Sequence, residues 1–131
     1  MVIEYLLLLA LGSYHSGIDI GAPAGTTILS TSTGNVIFAD FNGPNGYTIK
    51  VESNNFVFGY SHVSPLFLVS VGDFVTSGSV IAHVGPKNVY GVPNNIYKDS
   101  NGNPTNGATT GPHLHFTIRK DGKVVNPLNY F

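Results

Sequence analysis

The sequence contains no cysteine and few charged residues, and each shortage excludes a class of protein. Without cysteine, neither a disulfide framework nor a thiolate metal site can form. Charged residues make up 10% of the chain and the formal net charge is -1, so no basic surface of the kind that binds nucleic acid is expected. Any metal site must therefore use histidine and carboxylate ligands.

Long apolar runs are scarce as well. The longest, Tyr5 to Leu11, is too short to cross a bilayer, and Glu4 stands where a secretory signal would carry a cation. We expect this run to form a buried first strand, the alternative being a remnant of a longer parent chain, and we expect no membrane span. At 131 residues, the chain is predicted to form one domain over 1–131.

Glycine, in contrast, is abundant, with 16 residues, and asparagine, serine and threonine are plentiful. This composition is typical of turn-rich β proteins, and short β-rich runs are separated by turn residues along most of the chain. We therefore predict an all-β fold: a small antiparallel β-sandwich or barrel-like domain with long loops and few or no helices.

Four stretches predict particular strands and turns. "TTILSTSTGNVIFADF" predicts two strands joined by a turn at 33–35, and "GYTIKVESNNFVFGYSHV" predicts two strands joined by a turn at 53–55. "FLVSVGDFVTSGSVIAHVG" predicts two further strands around turns at 72–73 and 77–78. "HLHFTIRKDGKVVNP" predicts a hairpin with a type I′ turn at Asp121 and Gly122.

Residues 86–112 break this rhythm. They are rich in asparagine, glycine and proline, lack strand alternation and run directly into His113. A loop of this length in a compact domain is usually functional or mobile. It is either a plain surface excursion or the wall of a site, and its position beside the histidine favours the wall.

Histidines provide the candidate chemistry. In the last long strand, His113 and His115 share one face, because side chains two residues apart point the same way, and the apolar residues that alternate with them are predicted to face the core. His15 and Asp19 are four residues apart in a glycine-rich stretch that disfavours a helix. On a straight strand they would lie roughly 13 Å apart, so only a bend at 16–17 would bring them together.

A catalytic zinc site keeps three protein ligands and one position open for water. The sequence offers such a set in His15, Asp19 and His115. The imidazoles of His62 and His113 would then hydrogen-bond the water and the developing charge. A single histidine is more often an ordinary core or surface residue than a ligand, and His83, which has no ligand-type neighbour, is assigned that ordinary role.

Three segments together resemble the lysostaphin/LytM-type zinc metallopeptidases, endopeptidases that cut bacterial cell-wall peptides. "HSGIDIGAPAGTTILSTSTGNVIFA" is similar to the first zinc motif of this family and the strand pair after it. "GYSHVSPLFLVSVGDFVTSGSVIAHVG" is similar to the segment with a single catalytic histidine, and "TGPHLHFTIRKDGKVVNPLNYF" to the closing His-x-His motif. The resemblance runs from about Tyr14 to Phe131, with the motifs in the family's order.

The resemblance implies that His15, Asp19 and His115 hold zinc and that His62 and His113 are catalytic residues beside it. It implies a zinc endopeptidase acting on peptidoglycan peptides, with zinc supplying hydroxide at neutral pH. Which of the two catalytic histidines acts as base and which as acid stays open. The family includes enzymes for glycine bridges and for stem-peptide cross-links that contain D-alanine and a diamino acid.

The chain departs from the family pattern in three places. Thr117 stands where an acidic residue is common, residues 1–13 match the usual entry segment poorly, and residues 86–112 are longer than the usual loop. The enlarged loop resembles that of peptidase domains on phage tail tips. Because the sequence carries no basic patch or wall-binding repeat, we expect targeting by other domains or subunits of a phage tail, and an extracellular or virion-associated location.

Two other functions compete with the enzyme. A degenerate member of the same fold would grip peptidoglycan or serve as a structural tail module, but such members lose metal ligands, and all three are present here. A swinging-arm carrier is suggested by "VSVGDFVTSGSVIAHVG", which is similar to a lipoyl-type hairpin. None of the lysines lies in a Met-Lys-type turn, so the carrier is set aside and catalysis is favoured.

Overall fold

The computed structural model describes residues 17–130; the strand predicted at Tyr5 to Leu11 and the lead segment 1–13 lie outside this range. The described chain is built from short strands, with two single 3-10 turns and no α-helix. The strands are β1 Ile18–Gly21, β2 Thr27–Leu29, β3 Gly34–Phe41, β4 Tyr47–Ser53, β5 Phe56–Ser61, β6 Phe74–Val75, β7 Val80–His83, β8 His113–Lys120 and β9 Lys123–Val125. The predicted all-β fold is confirmed.

Seven of these strands form one antiparallel sheet. Its order is β1-β8-β5-β4-β3-β6, and β9 pairs with β8 beyond the end of β1. Strands β2 and β7 pair with each other in a second, two-stranded sheet. Strand β8 therefore has β5 along one edge and β1 and β9 along the other, so it lies in the interior of the sheet.

Strand β8 has one buried face and one partly exposed face, as its alternating sequence predicts. Its buried residues are Leu114, Phe116 and Ile118. The ring of Phe116 packs against that of Tyr60 on β5, with centroids 5.4 Å apart. Burial of a side chain of this kind contributes roughly 1.5–3 kcal/mol. Because the core fixes these residues inward, His113 and His115 must face outward.

Two turn predictions are confirmed by the backbone. Asp121 and Gly122 join β8 to β9 with φ of 53° and 79°, the pair of positive values that a type I′ turn requires. Asn54, with φ of 54°, lies in the turn between β4 and β5. The strands predicted around 72–73 and 77–78 are present as β6 and β7, although they pair with β3 and β2 rather than with each other.

The turn predicted at 33–35 is wrong. Gly34 and Asn35 lie inside β3, and the chain bends earlier, at 31–32. The glycine serves a close approach between strands: a Cβ at position 34 would collide with the carbonyl oxygen of Glu52 on β4. A glycine required by a distant strand has the same sequence signature as a glycine in a turn.

The long loop 86–112 contains none of the named strands and is tied together by Asp99. One carboxylate oxygen of Asp99 accepts the backbone N–H groups of Asn101 and Asn103, both at 3.0 Å. The other accepts Nδ2 of Asn88 at 3.1 Å and pairs with Nζ of Lys87 at 3.3 Å. The hydrogen bond from Asn88 is the main reason why the pKa of Asp99 is lowered to about 2.

No helix within residues 17–130 is long and apolar enough to cross a membrane.

Candidate active site

The pairing of β1 with β8 places Asp19 directly opposite His115. Nδ1 of His115 lies 2.6 Å from Oδ1 of Asp19, a distance typical of a hydrogen bond to a carboxylate. The side chain of His115 is 15% exposed and that of Asp19 is 59% exposed. The imidazole is therefore held by the sheet, whereas the carboxylate has room to rotate.

Gly17 brings the start of β1 close to β8. A Cβ at this position would collide with the carbonyl oxygen of Phe116, so only glycine allows this approach. His15, the third predicted ligand, lies outside the described residues. Within residues 17–130 no group of three side chains is arranged to hold a metal ion. Asp19 and His115 supply two of the three predicted donors.

His62 follows the last residue of β5 and is buried, with 6% exposure. Its φ of 61° is uncommon for a residue with a side chain and is of the kind found at functional sites. Nδ1 of His62 donates to the carbonyl oxygen of Asn106 at 2.7 Å, because a carbonyl can only accept. Nε2 is therefore the unprotonated nitrogen of the neutral ring.

Burial lowers the pKa of His62 to about 4, with the neighbouring imidazoles of His113 and His115 acting in the same direction. The hydrogen bond to Asn106 and the charge of Asp19 oppose this shift. The ring is thus neutral at pH 7, with Nε2 available as a hydrogen-bond acceptor in the cleft that His62 lines.

His113 is oriented in the same way. Nδ1 of His113 donates to the carbonyl oxygen of Gly111 at 2.9 Å. Its Nε2 lies 3.7 Å from Oδ1 of Asp19, and its ring centroid lies 4.6 Å from that of His62. His62 and His113 both use Nδ1 to hold a backbone carbonyl, whereas His115 directs Nδ1 at the carboxylate.

Sequence reasoning missed Asn106, which organises this arrangement. Its side chain is fully buried; Oδ1 accepts the backbone N–H of Tyr47 at 2.8 Å, and Nδ2 donates to the carbonyl oxygen of Val63 at 2.9 Å. Its own carbonyl holds His62. Nothing in "NPTNGATTGP" separates this asparagine from its neighbours, because its role is set by residues 43 to 59 positions away.

Four of the five predicted site residues line one open cleft of about 240 Å³: Asp19, His62, His113 and His115. A second, larger cleft of about 540 Å³ adjoins it, lined by Asp19 and His113 on one side and by Tyr97, Lys98 and other residues of the long loop on the other. The loop thus forms a wall beside the histidines. His83 lies elsewhere, at the end of β7 opposite Thr27.

An imidazole nitrogen and a carboxylate oxygen are donors that zinc binds well. Tetrahedral zinc with bonds near 2.0–2.1 Å would separate two such donors by about 3.3 Å, somewhat more than the 2.6 Å between His115 and Asp19. A small rotation of the exposed Asp19 carboxylate provides that separation. The donor set present in the described residues therefore fits zinc.

The chain matches one protein family over most of its length. The model of the family described as Peptidase family M23 covers residues 13–127.

Two curated relatives illustrate the range of similar proteins. The DD-carboxypeptidase/endopeptidase Mpg of Neisseria meningitidis is 32% identical over 116 residues, which are 88% of this chain and 22% of Mpg. The murein hydrolase activator EnvC of Escherichia coli is 32% identical over 114 residues, which are 85% of this chain and 22% of EnvC. The chain thus spans less than a quarter of the length of either relative.

Among solved structures, a zinc-containing peptidase from Vibrio cholerae superposes with a TM-score of 0.66 at 28% sequence identity. The match covers 85% of this chain and 28% of that protein.

Proposed function

The chain belongs to peptidase family M23 and has a lysostaphin-type fold, and on that premise we propose that it is a zinc-dependent endopeptidase that hydrolyses peptide cross-links of bacterial peptidoglycan. The observation that carries the proposal is the convergence of one carboxylate and three imidazoles on a single open cleft. The names of Mpg, a carboxypeptidase/endopeptidase, and of the zinc-containing peptidase from Vibrio cholerae support the reaction and the metal.

We assign the metal to Asp19 and His115, with His15 as the third ligand. The two described donors lie within hydrogen-bond distance of each other and open towards the cleft. Zinc held there would polarise the scissile carbonyl as a Lewis acid and would make water a stronger nucleophile.

His62 and His113 act beside this centre. Their Nδ1–H groups are engaged by the carbonyls of Asn106 and Gly111, so both rings are fixed and both Nε2 atoms remain for the reaction. A neutral His62 can accept a proton from the attacking water, and a protonated histidine can donate one to the leaving amine. With the two rings 4.6 Å apart, either histidine can take either part, and the assignment of base and acid stays open.

A second candidate is a non-catalytic module of the same fold. The similarity to EnvC, whose name describes an activator of murein hydrolases, favours it. Such a module would bind peptidoglycan or a partner hydrolase without cutting a bond. The convergence of four of the five predicted site residues favours catalysis, because a module that only binds has no need for a carboxylate and three oriented imidazoles in one cleft.

The remaining assignments follow from the same premise. We propose that residues 1–131 form a single peptidase domain and act outside the cytoplasm, where peptidoglycan lies. Attachment to a phage tail, with tail domains or subunits as partners, stays a prediction made from the long loop 86–112 and the low charge.

The test is digestion of purified cell walls by the zinc-loaded chain, followed by mass spectrometry of the released fragments. Two wall types are used, one with glycine bridges and one directly cross-linked. We expect fragments with newly freed peptide ends, none after chelation of zinc, and none from the D19N variant. Intact cross-links in both wall types, with a correctly folded and zinc-loaded chain, would favour the non-catalytic module.

A further inference from the structure

A narrow groove leaves the candidate active site across the outward face of the large sheet. It has a volume of about 80 Å³, begins at His115 and Ser61, and continues to Lys50 and Arg119. It lies on the side of the site away from the long loop, which lines the other cleft. Asp19 and His115 both line the cleft of about 240 Å³; Asp19 also lines the larger cleft beside the loop, and His115 also lines the groove.

The strand register orders the groove in rows. His115 pairs with Ser61 in the first row, Thr117 with Gly59 and Lys50 in the second, and Arg119 with Val57 and Glu52 in the third. Successive rows are two residues apart, or roughly 6.6 Å along a strand. Arg119 lies two rows along β8 from His115, or roughly 13 Å, whereas Lys50 lies one row along and two strands across, at about 4.8 Å per strand.

Thr117 covers Gly59 in the second row. A Cβ at position 59 would collide with the hydroxyl oxygen of Thr117, so the space above Gly59 is taken by the threonine side chain. The surrounding side chains of Ser61 and Thr117 are small and polar. On β5 and β8 the lining of the groove at this row therefore consists of small polar side chains, without a bulky one.

Lys50 and Arg119 are the cations of the groove. No carboxylate lines it within residues 17–130, and the nearest one by strand register is Glu52, which lies beside the groove opposite Val57. Lys50 lies over the ring of Phe38, with Nζ 5.2 Å from its centroid, and Arg119 donates to the carbonyl oxygen of Gly122 at 3.4 Å. In the part of the chain that the structure describes, neither cation has an acidic partner, unlike Lys87, which pairs with Asp99. Both cations can receive an anion from outside.

We infer that this groove selects a peptide carrying a free carboxylate two to four residues from the scissile bond. An extended peptide advances about 3.3 Å per residue, so this spacing corresponds to the rows of Lys50 and Arg119. Stem-peptide cross-links of peptidoglycan carry such carboxylates, whereas glycine bridges carry none. The inference rests on the proposed function and narrows its substrate to carboxylate-bearing stem peptides.

The test compares binding of two synthetic cross-linked stem-peptide dimers, one with free carboxylates and one with the same carboxylates converted to carboxamides. Calorimetry is carried out on the unmodified chain, K50Q and R119Q. For each protein it gives the ratio of the affinity for the free dimer to the affinity for the amidated dimer. The matched control is K123Q. Lys123 is the neighbour of Val124, which lines the groove, so the Lys123 side chain points to the opposite face of β9 and its charge lies outside the groove.

We expect the free dimer to bind the unmodified chain about tenfold more tightly than the amidated one, with the difference shrinking as salt is added. K50Q and R119Q should each reduce the ratio towards one, and K123Q should leave it unchanged. Equal affinities for both dimers, or a ratio that neither K50Q nor R119Q changes, overturns the inference.

Hydrolysis of the same two dimers by the zinc-loaded chain separates this inference from the proposed function. Cleavage of both dimers at equal kcat/KM, together with equal binding, would leave the endopeptidase standing and remove the carboxylate groove. Preferential binding of the free dimer without cleavage of either would support the groove and contradict the endopeptidase.

Discussion

His115 and Asp19 face each other across the β1–β8 pairing, with Nδ1 and Oδ1 2.6 Å apart, although 96 residues separate them in sequence. The sheet fixes the imidazole, and the carboxylate lies at its open side. Asp19 and His115 are the two ligands of the proposed zinc site that lie within the described residues. Because Oδ1 and Nδ1 are already close, a small rotation of the Asp19 carboxylate is enough to accommodate the ion.

Replacement of Asp19 by Asn should remove zinc without unfolding the chain. Zinc affinity is expected to fall at least about 100-fold, because even changes outside the ligand set cost up to that factor. The side chain is 59% exposed, so stability in chelator should change by less than about 1 kcal/mol. Metal analysis after dialysis measures the loss of zinc, and urea unfolding in chelator measures the stability of the metal-free chain. The control variant H83Q, which lies outside the site, should keep its zinc. Unchanged zinc content in D19N would remove Asp19 from the ligand set.

His62→Gln and His113→Gln should separate metal binding from turnover. We expect each variant to retain about one zinc per chain and to lose roughly 10²–10⁴-fold in kcat, the range for loss of general acid–base catalysis. Stopped assays of a soluble cross-linked dimer give kcat, and metal analysis of the same samples gives the zinc content. Wild-type turnover in both variants would exclude these histidines from proton transfer.

His62 should titrate far below an ordinary histidine in the metal-free chain. Burial lowers its pKa to about 4, against 6.5 in the unfolded chain. Below pH 6.5 the unfolded state therefore binds a proton that the folded state rejects, so the free energy of unfolding decreases as the pH falls from 6.5 to about 4. The ring Hε1 resonance in an NMR titration reports the pKa, with H62Q used for assignment. A midpoint near 6.5 would show that the ring is solvated.

Replacement of Asn106 by Ala should destabilise the fold and weaken catalysis together. The change leaves the N–H of Tyr47 and the carbonyl of Val63 buried without their partner, at an expected cost of about 2–4 kcal/mol. Urea unfolding measures this loss. The matched control is N101A, in the exposed part of the same loop, which should stay within about 0.5 kcal/mol of the unmodified chain. Equal stability of the two variants would contradict the role of Asn106.

Asp99 should make the loop 86–112 sensitive to acid. Its folded pKa of about 2 lies below the ordinary aspartate pKa of 3.8, so its ionised form contributes stability that is fully present above pH 3.8 and is lost as the pH falls through about 2. The difference in unfolding midpoint between the unmodified chain and D99N should therefore shrink across this window. A difference that does not depend on pH would show that the hydrogen bonds of Asp99 do not favour its ionised form.

Local patterns in the sequence predict much of this fold. Alternation in β8 places His113 and His115 outward, and Asp121-Gly122 predicts the turn that follows, because both features depend on neighbouring residues. The turn predicted at Gly34 is wrong, because a glycine is required there by the close approach of the Glu52 carbonyl oxygen on β4. Local sequence cannot distinguish the two cases.

The candidate site depends more heavily on distant contacts. Spacing alone leaves Asp19 without a partner, and the register of β1 against β8 supplies His115. The resemblance to a known family named both residues, yet it gave no indication of Asn106 or of the groove between Lys50 and Arg119. These features arise where segments far apart in the chain meet.

The most direct test of the account is diffraction from crystals of the zinc-loaded chain at energies on both sides of the zinc absorption edge. We expect one strong anomalous peak within about 2.0–2.2 Å of a carboxylate oxygen of Asp19 and of Nδ1 of His115, with His15 as the third protein ligand. Zinc bound only elsewhere on the surface, with the Asp19–His115 hydrogen bond intact, would contradict it.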